Sequence, residues 1–259
     1  MRLNFKGTDI FYEDAGKGSA VVLLHGFLEN ATIWNSLKEE LLSRYRVITI
    51  DLLGHGKTGC LGYVHTMEMM AETVKAVLDE LMVRRVSLIG HSMGGYVALA
   101  FAEAHPDDVK ALVLVNSTTS ADSEVKKKNR DRAIEMVKHN HKSFVRMGIA
   151  NLFRPKNRKI FAEEIKALKK EALKTPVQGI VAALEGMKIR NDREILLHFT
   201  PFQKMMIIGR KDPVLNYEAL IEQVEEAEVK VVEFPDGHMS FIENKSQFID
   251  NIKKFLKKV

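Results

Sequence analysis

Ser92 stands in Gly90-His91-Ser92-Met93-Gly94, a G-x-S-x-G pentapeptide between the apolar run Val86-Ser87-Leu88-Ile89 and a helical pattern over 93–104. At a strand–helix junction this spacing makes a sharp turn that pushes the serine hydroxyl out of the sheet. The flanking glycines let neighbouring backbone come close. The helix that begins there aims its free N–H groups and positive dipole end at the same spot. A serine hydroxyl is a weak nucleophile until a base takes its proton, and that base needs an orienting acid. Of the 9 histidines, His238 lies in Pro235-Asp236-Gly237-His238-Met239, between the last strand-like run and the last helical one. Asp212 follows the preceding strand-like run, in Ile208-Gly209-Arg210-Lys211-Asp212-Pro213-Val214. The chain order Ser, Asp, His suits a nucleophile placed at such an elbow. The competing acid position after Val115 holds Asn116, which carries no charge, and Asp236 reads as a turn former beside His238.

Acyl chemistry at Ser92 also requires two convergent donors for the developing oxyanion. The Met93 N–H, at the helix start, is one candidate; the Phe27 N–H is the other, because Gly26 in His25-Gly26-Phe27 permits close approach. His25 and His91 read as hydrogen-bonding anchors of their loops. Leu28, Met239 and the pair Phe144 and Phe153 are candidates for an apolar, substrate-binding acyl pocket; for the last two, core packing is an equal alternative. Asp51-Leu52-Leu53-Gly54-His55-Gly56 lacks the spacing of a phosphate loop and reads as a tight loop beside the elbow. Cys60 reads as a bystander thiol, and Met67, Met69 and Met70 as adaptable core filler.

The elements that must position these groups are written in the apolar pattern. Runs at 20–24, 46–50, 86–89 and 111–115 are short, rich in β-branched residues and apolar on both faces, the pattern of buried parallel strands. Helical patterns at 67–82 and 93–104 lie between them, and the rhythm resumes with strand-like 203–208, helical 217–227, strand-like 228–234 and helical 246–257. Residues 1–5 and 9–13, joined around Gly7, suit an antiparallel hairpin at the sheet edge. The segment 120–197 has helical runs only. The expected fold is therefore α/β: a doubly wound, mostly parallel sheet with a helical lid at 120–197, inserted between core parts 1–119 and 198–259.

Composition narrows the function classes. The chain has 259 residues, 46% hydrophobic and 28% charged, with no apolar stretch near the roughly 20 residues of a membrane span. One cysteine permits neither an internal disulfide nor a zinc cluster, and the opening Met1-Arg2-Leu3-Asn4-Phe5 lacks the apolar core of a secretion signal, so a cytoplasmic setting is expected. The net charge of +5 is uneven, with 19 Lys/Arg against 10 Asp/Glu between Ser117 and Thr200. No aromatic residues interleave those cations as a stacking platform requires, so solvated helix faces are expected rather than nucleic-acid binding.

These landmarks resemble the α/β-hydrolase superfamily over nearly the whole chain: His25-Gly26-Phe27 with Trp34 following, Asp51-Leu52-Leu53-Gly54-His55-Gly56-Lys57-Thr58, Gly90-His91-Ser92-Met93-Gly94-Gly95, Gly209-Arg210-Lys211-Asp212-Pro213-Val214 and Gly237-His238. The resemblance implies a Ser92–Asp212–His238 triad, an oxyanion hole from Phe27 and Met93, a lid after the sixth strand, and no metal or organic cofactor. Ser92 at the nucleophile position argues against the dehalogenases and epoxide hydrolases of this fold, which attack with aspartate. The chain is distantly similar to the menaquinone-pathway cyclohexadiene carboxylate synthase, but has Tyr96 where that enzyme carries a carboxylate-binding arginine. Arg146, Arg154 and Arg158 are candidate replacements. The expected activity is a serine esterase acting on a small ester-like molecule, as a monomer or homodimer, without membrane or nucleic-acid partners. A thioesterase, a carbon–carbon bond lyase or hydrolase on an anionic substrate, and a non-catalytic ligand-binding relative are the alternatives.

Overall fold

A computed structural model describes residues 1–259. The apolar runs form β1 (Arg2–Phe5), β2 (Thr8–Ala15), β3 (Ser19–Leu24), β4 (Tyr45–Ile50), β5 (Val86–His91), β6 (Val109–Val115), β7 (Gln203–Gly209) and β8 (Lys230–Phe234). They make one 8-stranded sheet in the order β1-β2-β4-β3-β5-β6-β7-β8. The β1–β2 hairpin adds antiparallel to β4, and all pairings from β4 to β8 are parallel. Along β3, Val22 and Leu24 enter one core cluster while Val21 and Leu23 enter the other. Both faces are thus covered, which is why the run is continuously apolar rather than alternating.

The helices are α1 (Asn35–Leu41), α2 (Met67–Glu80), α3 (Met93–Ala104), α4 (Glu124–Asn151), α5 (Ala162–Ala172), α6 (Val177–Lys188), α7 (Ile195–His198), α8 (Tyr217–Glu222), α9 (Ser240–Glu243) and α10 (Lys245–Leu256). Local chemistry sets several starts: Thr66 accepts from the Met69 N–H and caps α2, and Ser123 accepts from the Lys126 N–H and caps α4. No helix is long and apolar enough to cross a membrane. The chain steps from β3 outward to β4, then back across to β5 on the other side of β3. This reversal opens a crevice beyond the C-terminal ends of β3 and β5, where open α/β sheets bind ligands. Leu24 and Gly90 pair at that end, immediately before the His25–Gly26 loop and the Ser92 turn.

Two expectations change. The helix expected over 217–227 ends at Glu222. There Gln223 turns inward to bond Thr118, Thr119 and Ser120, and the acidic residues beyond it sit in turns. The C-terminal helix gains a short preceding turn of helix, α9. Between β6 and β7 there are only helices, and the two stems of this segment are fastened together. The Arg193 N–H donates to the Thr119 carbonyl at 3.0 Å and the Ala121 N–H to Asp192 at 3.3 Å. The buried Arg190 guanidinium pairs with Asp122 at 2.6 Å and lies 4.1 Å from the Tyr96 ring centroid. Arg193, also buried, bridges Glu68 on α2 and Glu103 on α3.

Candidate active site

Ser92 has φ 49° and ψ −114°, a backbone conformation disfavoured for any residue with a Cβ. The turn is packed so tightly that a Cβ on Gly90 would lie 2.3 Å from the Gly94 carbonyl oxygen, and one on Gly94 the same distance from that of Leu24. Only glycine fits at either place. The strained turn is held by the Ser92 N–H donating to the Val115 carbonyl at 3.0 Å and by the Ser117 hydroxyl donating to the Ser92 carbonyl at 2.8 Å. The Ser92 hydroxyl itself bonds to no protein group. In a ligand-free site such bonds commonly tighten only when substrate arrives.

Asp212 and His238 come together from the loops after β7 and β8. Asp212 Oδ2 accepts from His238 Nδ1 at 2.7 Å, and Oδ1 accepts from the Val214 and Leu215 N–H groups at 2.8 and 3.1 Å. A carboxylate only accepts, so Nδ1 carries the imidazole proton and Nε2 is left as a proton acceptor. Burial opposes charge on both groups, but their attraction prevails: the Asp212 carboxyl is held below the ordinary aspartate range and the His238 imidazole above the ordinary histidine value. The base loop is also fixed from the helical side, where the His238 N–H donates to the Leu152 carbonyl at 3.1 Å.

The loop after β3 turns through Leu28, at φ 63°. Its Phe27 N–H, like the Met93 N–H at the start of α3, donates to no protein acceptor. His25 and His91 both anchor loops. The Leu52 N–H donates to His25 Nε2 at 2.9 Å, which leaves the proton on Nδ1, 2.7 Å from the Gly26 carbonyl. Burial pushes His25 down and His55 down to about 3, so both rings are neutral at ordinary pH. Asp51 fastens the adjoining tight loop by accepting from the Ala31 and Lys57 N–H groups, each at 2.8 Å.

Three supporting residues carried no signal in the sequence. Asn116, dismissed above as an acid, donates to Asp212 Oδ2 at 3.2 Å and to the Gly237 carbonyl at 3.1 Å, from a backbone at φ 44°. Glu243 accepts from the N–H groups of Gly237 and Met239 at 3.0 and 3.3 Å, and from Asn157 at 2.9 Å, bracing the base loop. Glu29 lies against His91 and Gly26. The contacts of Asn116 with Asp212, Glu243 with Asn157 and Glu29 with His91 join segments far apart in sequence, so neither motif nor periodicity announces them.

The candidate pocket residues fall less favourably. Phe153 and Met239 are fully buried in one core cluster, with the Phe153 ring 6.2 Å from that of Phe161. Leu28 and Met93 are likewise buried. In this structure all four are packing side chains. Half-buried Phe144 lines a groove of about 760 Å³ on the outer helices, with Arg146, Met147, Arg158 and Lys169; Ser92, Asp212 and His238 are not part of it. Arg154 is occupied by Asp236 at 3.2 Å and Arg158 by Asn151 at 3.1 Å. Cys60 is half-buried, and burial pushes its thiol up, as befits a bystander.

The family model for the alpha/beta hydrolase fold matches residues 19–245. The chain belongs to this family. An esterase from Thermogutta terrifontis superposes on this α/β hydrolase with a TM-score of 0.90 at 30% identity, covering 100% of this chain and 98% of that one. The pimeloyl-[acyl-carrier protein] methyl ester esterase of Aliivibrio salmonicida is 28% identical over 96% of both chains. A putative 2-succinyl-6-hydroxy-2,4-cyclohexadiene-1-carboxylate synthase of Bacillus subtilis is 39% identical, over 41% of this chain and 39% of its own length. The chain spans 30% of the length of uncharacterized mycobacterial relatives that it matches at 39% identity. Esterases thus stand beside a putative synthase among its relatives.

Proposed function

We propose that this α/β hydrolase cleaves a small carboxylic ester through a covalent acyl-enzyme on Ser92. His238 Nε2 takes the hydroxyl proton as Oγ attacks the ester carbonyl, and the Phe27 and Met93 N–H groups stabilise the tetrahedral oxyanion. The ester C–O bond then breaks, and the imidazolium returns its proton to the leaving alcohol. Water, deprotonated by the same ring, attacks the acyl-enzyme; the acid departs and Ser92 recovers its proton. Asp212 keeps Nδ1 protonated throughout and stabilises the transient imidazolium. The observation that carries this reading is the 2.7 Å Asp212–His238 bond, which leaves Nε2 as a proton acceptor on a ring 5.0 Å from that of His91, the residue before Ser92. The two full-length esterase relatives support the reaction class. The segment 120–197, with its own helices between β6 and β7, would form the lid that selects the substrate.

The test is a fluorophosphonate probe on the wild type and on Ser92→Ala, followed by a series of p-nitrophenyl esters of increasing acyl length. Ser92→Ala should fold and lose both labelling and turnover. Ester turnover by that variant at the wild-type rate refutes the mechanism. Labelling of the wild type without ester turnover moves the assignment to a thioester or a carbon–carbon bond.

A further inference from the structure

Glu29 lies three residues beyond Gly26, with its carboxylate completely buried. Its Oε2 accepts from the Gly26 N–H at 2.6 Å and meets His91 Nδ1 at 2.9 Å, while Oε1 has no partner. The other nitrogen of that ring, Nε2, lies 3.1 Å from the His238 backbone carbonyl. A carbonyl only accepts, so Nε2 carries a proton; Glu29 as a carboxylate only accepts, so Nδ1 carries one too. Burial alone would raise the Glu29 carboxyl, but His91 and the Gly26 amide hold it below the ordinary glutamate range, which keeps it ionised. The groups facing the His91 ring are Glu29, the His238 ring at 5.0 Å, the Phe241 ring at 5.0 Å and, further off, His25. Gly26 is shaped to this pair: a Cβ there would lie 2.7 Å from Glu29 Oε2 and 2.8 Å from His91 Nδ1.

We propose that Glu29 is a positioning residue of the reaction centre, acting through a His91 ring that donates from both nitrogens. The inference rests on the serine-hydrolase reading above. Three segments must hold register for that chemistry, and the pair touches all of them. Glu29 fixes the oxyanion loop at Gly26, His91 is the residue before the nucleophile, and its Nε2–H fixes the backbone of the base itself. Charge-assisted bonds of this kind are stronger than neutral ones, and the neighbouring carboxylate compensates the buried cation. Neither residue is required to touch the substrate.

The test compares Glu29→Ala and Glu29→Gln with wild type on a p-nitrophenyl ester, and follows the His91 ring by nitrogen NMR in labelled wild-type protein at neutral pH. Glu29→Ala should lower kcat by about 100-fold, the scale of a misplaced reacting group, with KM unchanged. Glu29→Gln, with its amide oxygen in the Oε2 position, still accepts from both the Gly26 N–H and His91 Nδ1–H and lacks only the charge, so it should recover most of the loss. The wild-type spectrum should show both His91 ring nitrogens protonated. A Glu29→Ala enzyme that melts earlier yet keeps wild-type kcat makes the pair a structural brace and overturns the proposal; an unprotonated Nδ1 overturns it as well. Should Glu29→Ala fail to fold, the ring spectrum decides. Wild-type protein with neither fluorophosphonate labelling nor ester turnover sinks the serine-hydrolase reading instead, and the ring spectrum still tests the pair.

Discussion

Replacing Asp212 by Asn changes one atom, and the surroundings determine how that atom must lie. Oδ1 accepts from the Val214 and Leu215 N–H groups, so the amide must keep its oxygen on that side. Its NH₂ then occupies the Oδ2 position, 2.7 Å from His238 Nδ1 and 3.2 Å from the Asn116 side-chain nitrogen. Facing a donor, Nδ1 has to become an acceptor, and the ring proton moves to Nε2. The imidazole then presents a proton to Ser92 where it must remove one. Loss of the correct tautomer in a serine triad lowers kcat about 10⁴-fold, equivalent to about 5 kcal/mol of barrier. The Asn116 amide, now opposite a second donor, must flip or break its contact, adding strain to the same loop. Initial rates on the best p-nitrophenyl ester, with KM measured alongside and circular dichroism to show an intact fold, provide the assay. Asp212→Asn with kcat within about tenfold of wild type would mean that Asp212 does not set the tautomer, and the argument from the two backbone amides would be wrong.

Because Asp212 raises the His238 value, the acidic limb of kcat/KM should have its midpoint above about 6.5, the ordinary histidine value, as protonated His238 cannot accept the Ser92 proton. A midpoint at or below that value contradicts the electrostatic account. The same group stabilises the fold fully below its unfolded value and loses that contribution as pH rises through its folded value, so across this window activity should rise while His238's share of stability falls. Ser92→Gly removes a side chain from a backbone at φ 49° and should raise unfolding free energy by about 1 kcal/mol, after glycine's extra freedom in the unfolded chain is subtracted. Urea denaturation with an unchanged m-value measures it; a less stable variant would show that the elbow stores no strain.

The sheet and the elbow were legible because their signals are local. Val21 to Leu24 are apolar at every position since both faces are covered, and Gly90 and Gly94 flank Ser92 because nothing larger fits. The residues that brace the site were not legible, because their roles arise from long-range geometry. Glu29 meets His91 62 residues away, and Asn116 meets Asp212 96 residues away; either could have been an ordinary loop residue. An apolar residue type does not reveal what covers it, so a ligand and core packing are equal readings of Phe153 in the sequence, and the structure sets its ring against Phe161. The overrun of α8 has a similar origin. An apolar pattern extends past Gln223, but inward hydrogen bonds to Thr118, Thr119 and Ser120 make that residue more useful off the helix.

The fastened stems between β6 and β7 have a consequence for how such a chain can diversify. Thr119 and Arg193 are bonded backbone to backbone, so the helical excursion leaves and re-enters the sheet at one doorway. Its length is thereby decoupled from the spacing of the strands: doubling an excursion with tethered ends costs only about 0.6 kcal/mol in closure entropy. The parts beyond the doorway that do not touch the His238 loop can be lengthened, shortened or exchanged while the Arg190–Asp122 latch keeps the frame in register. Graft experiments on this scaffold therefore have natural cut points at the doorway, with Leu152 and Asn157 retained because they brace the His238 loop.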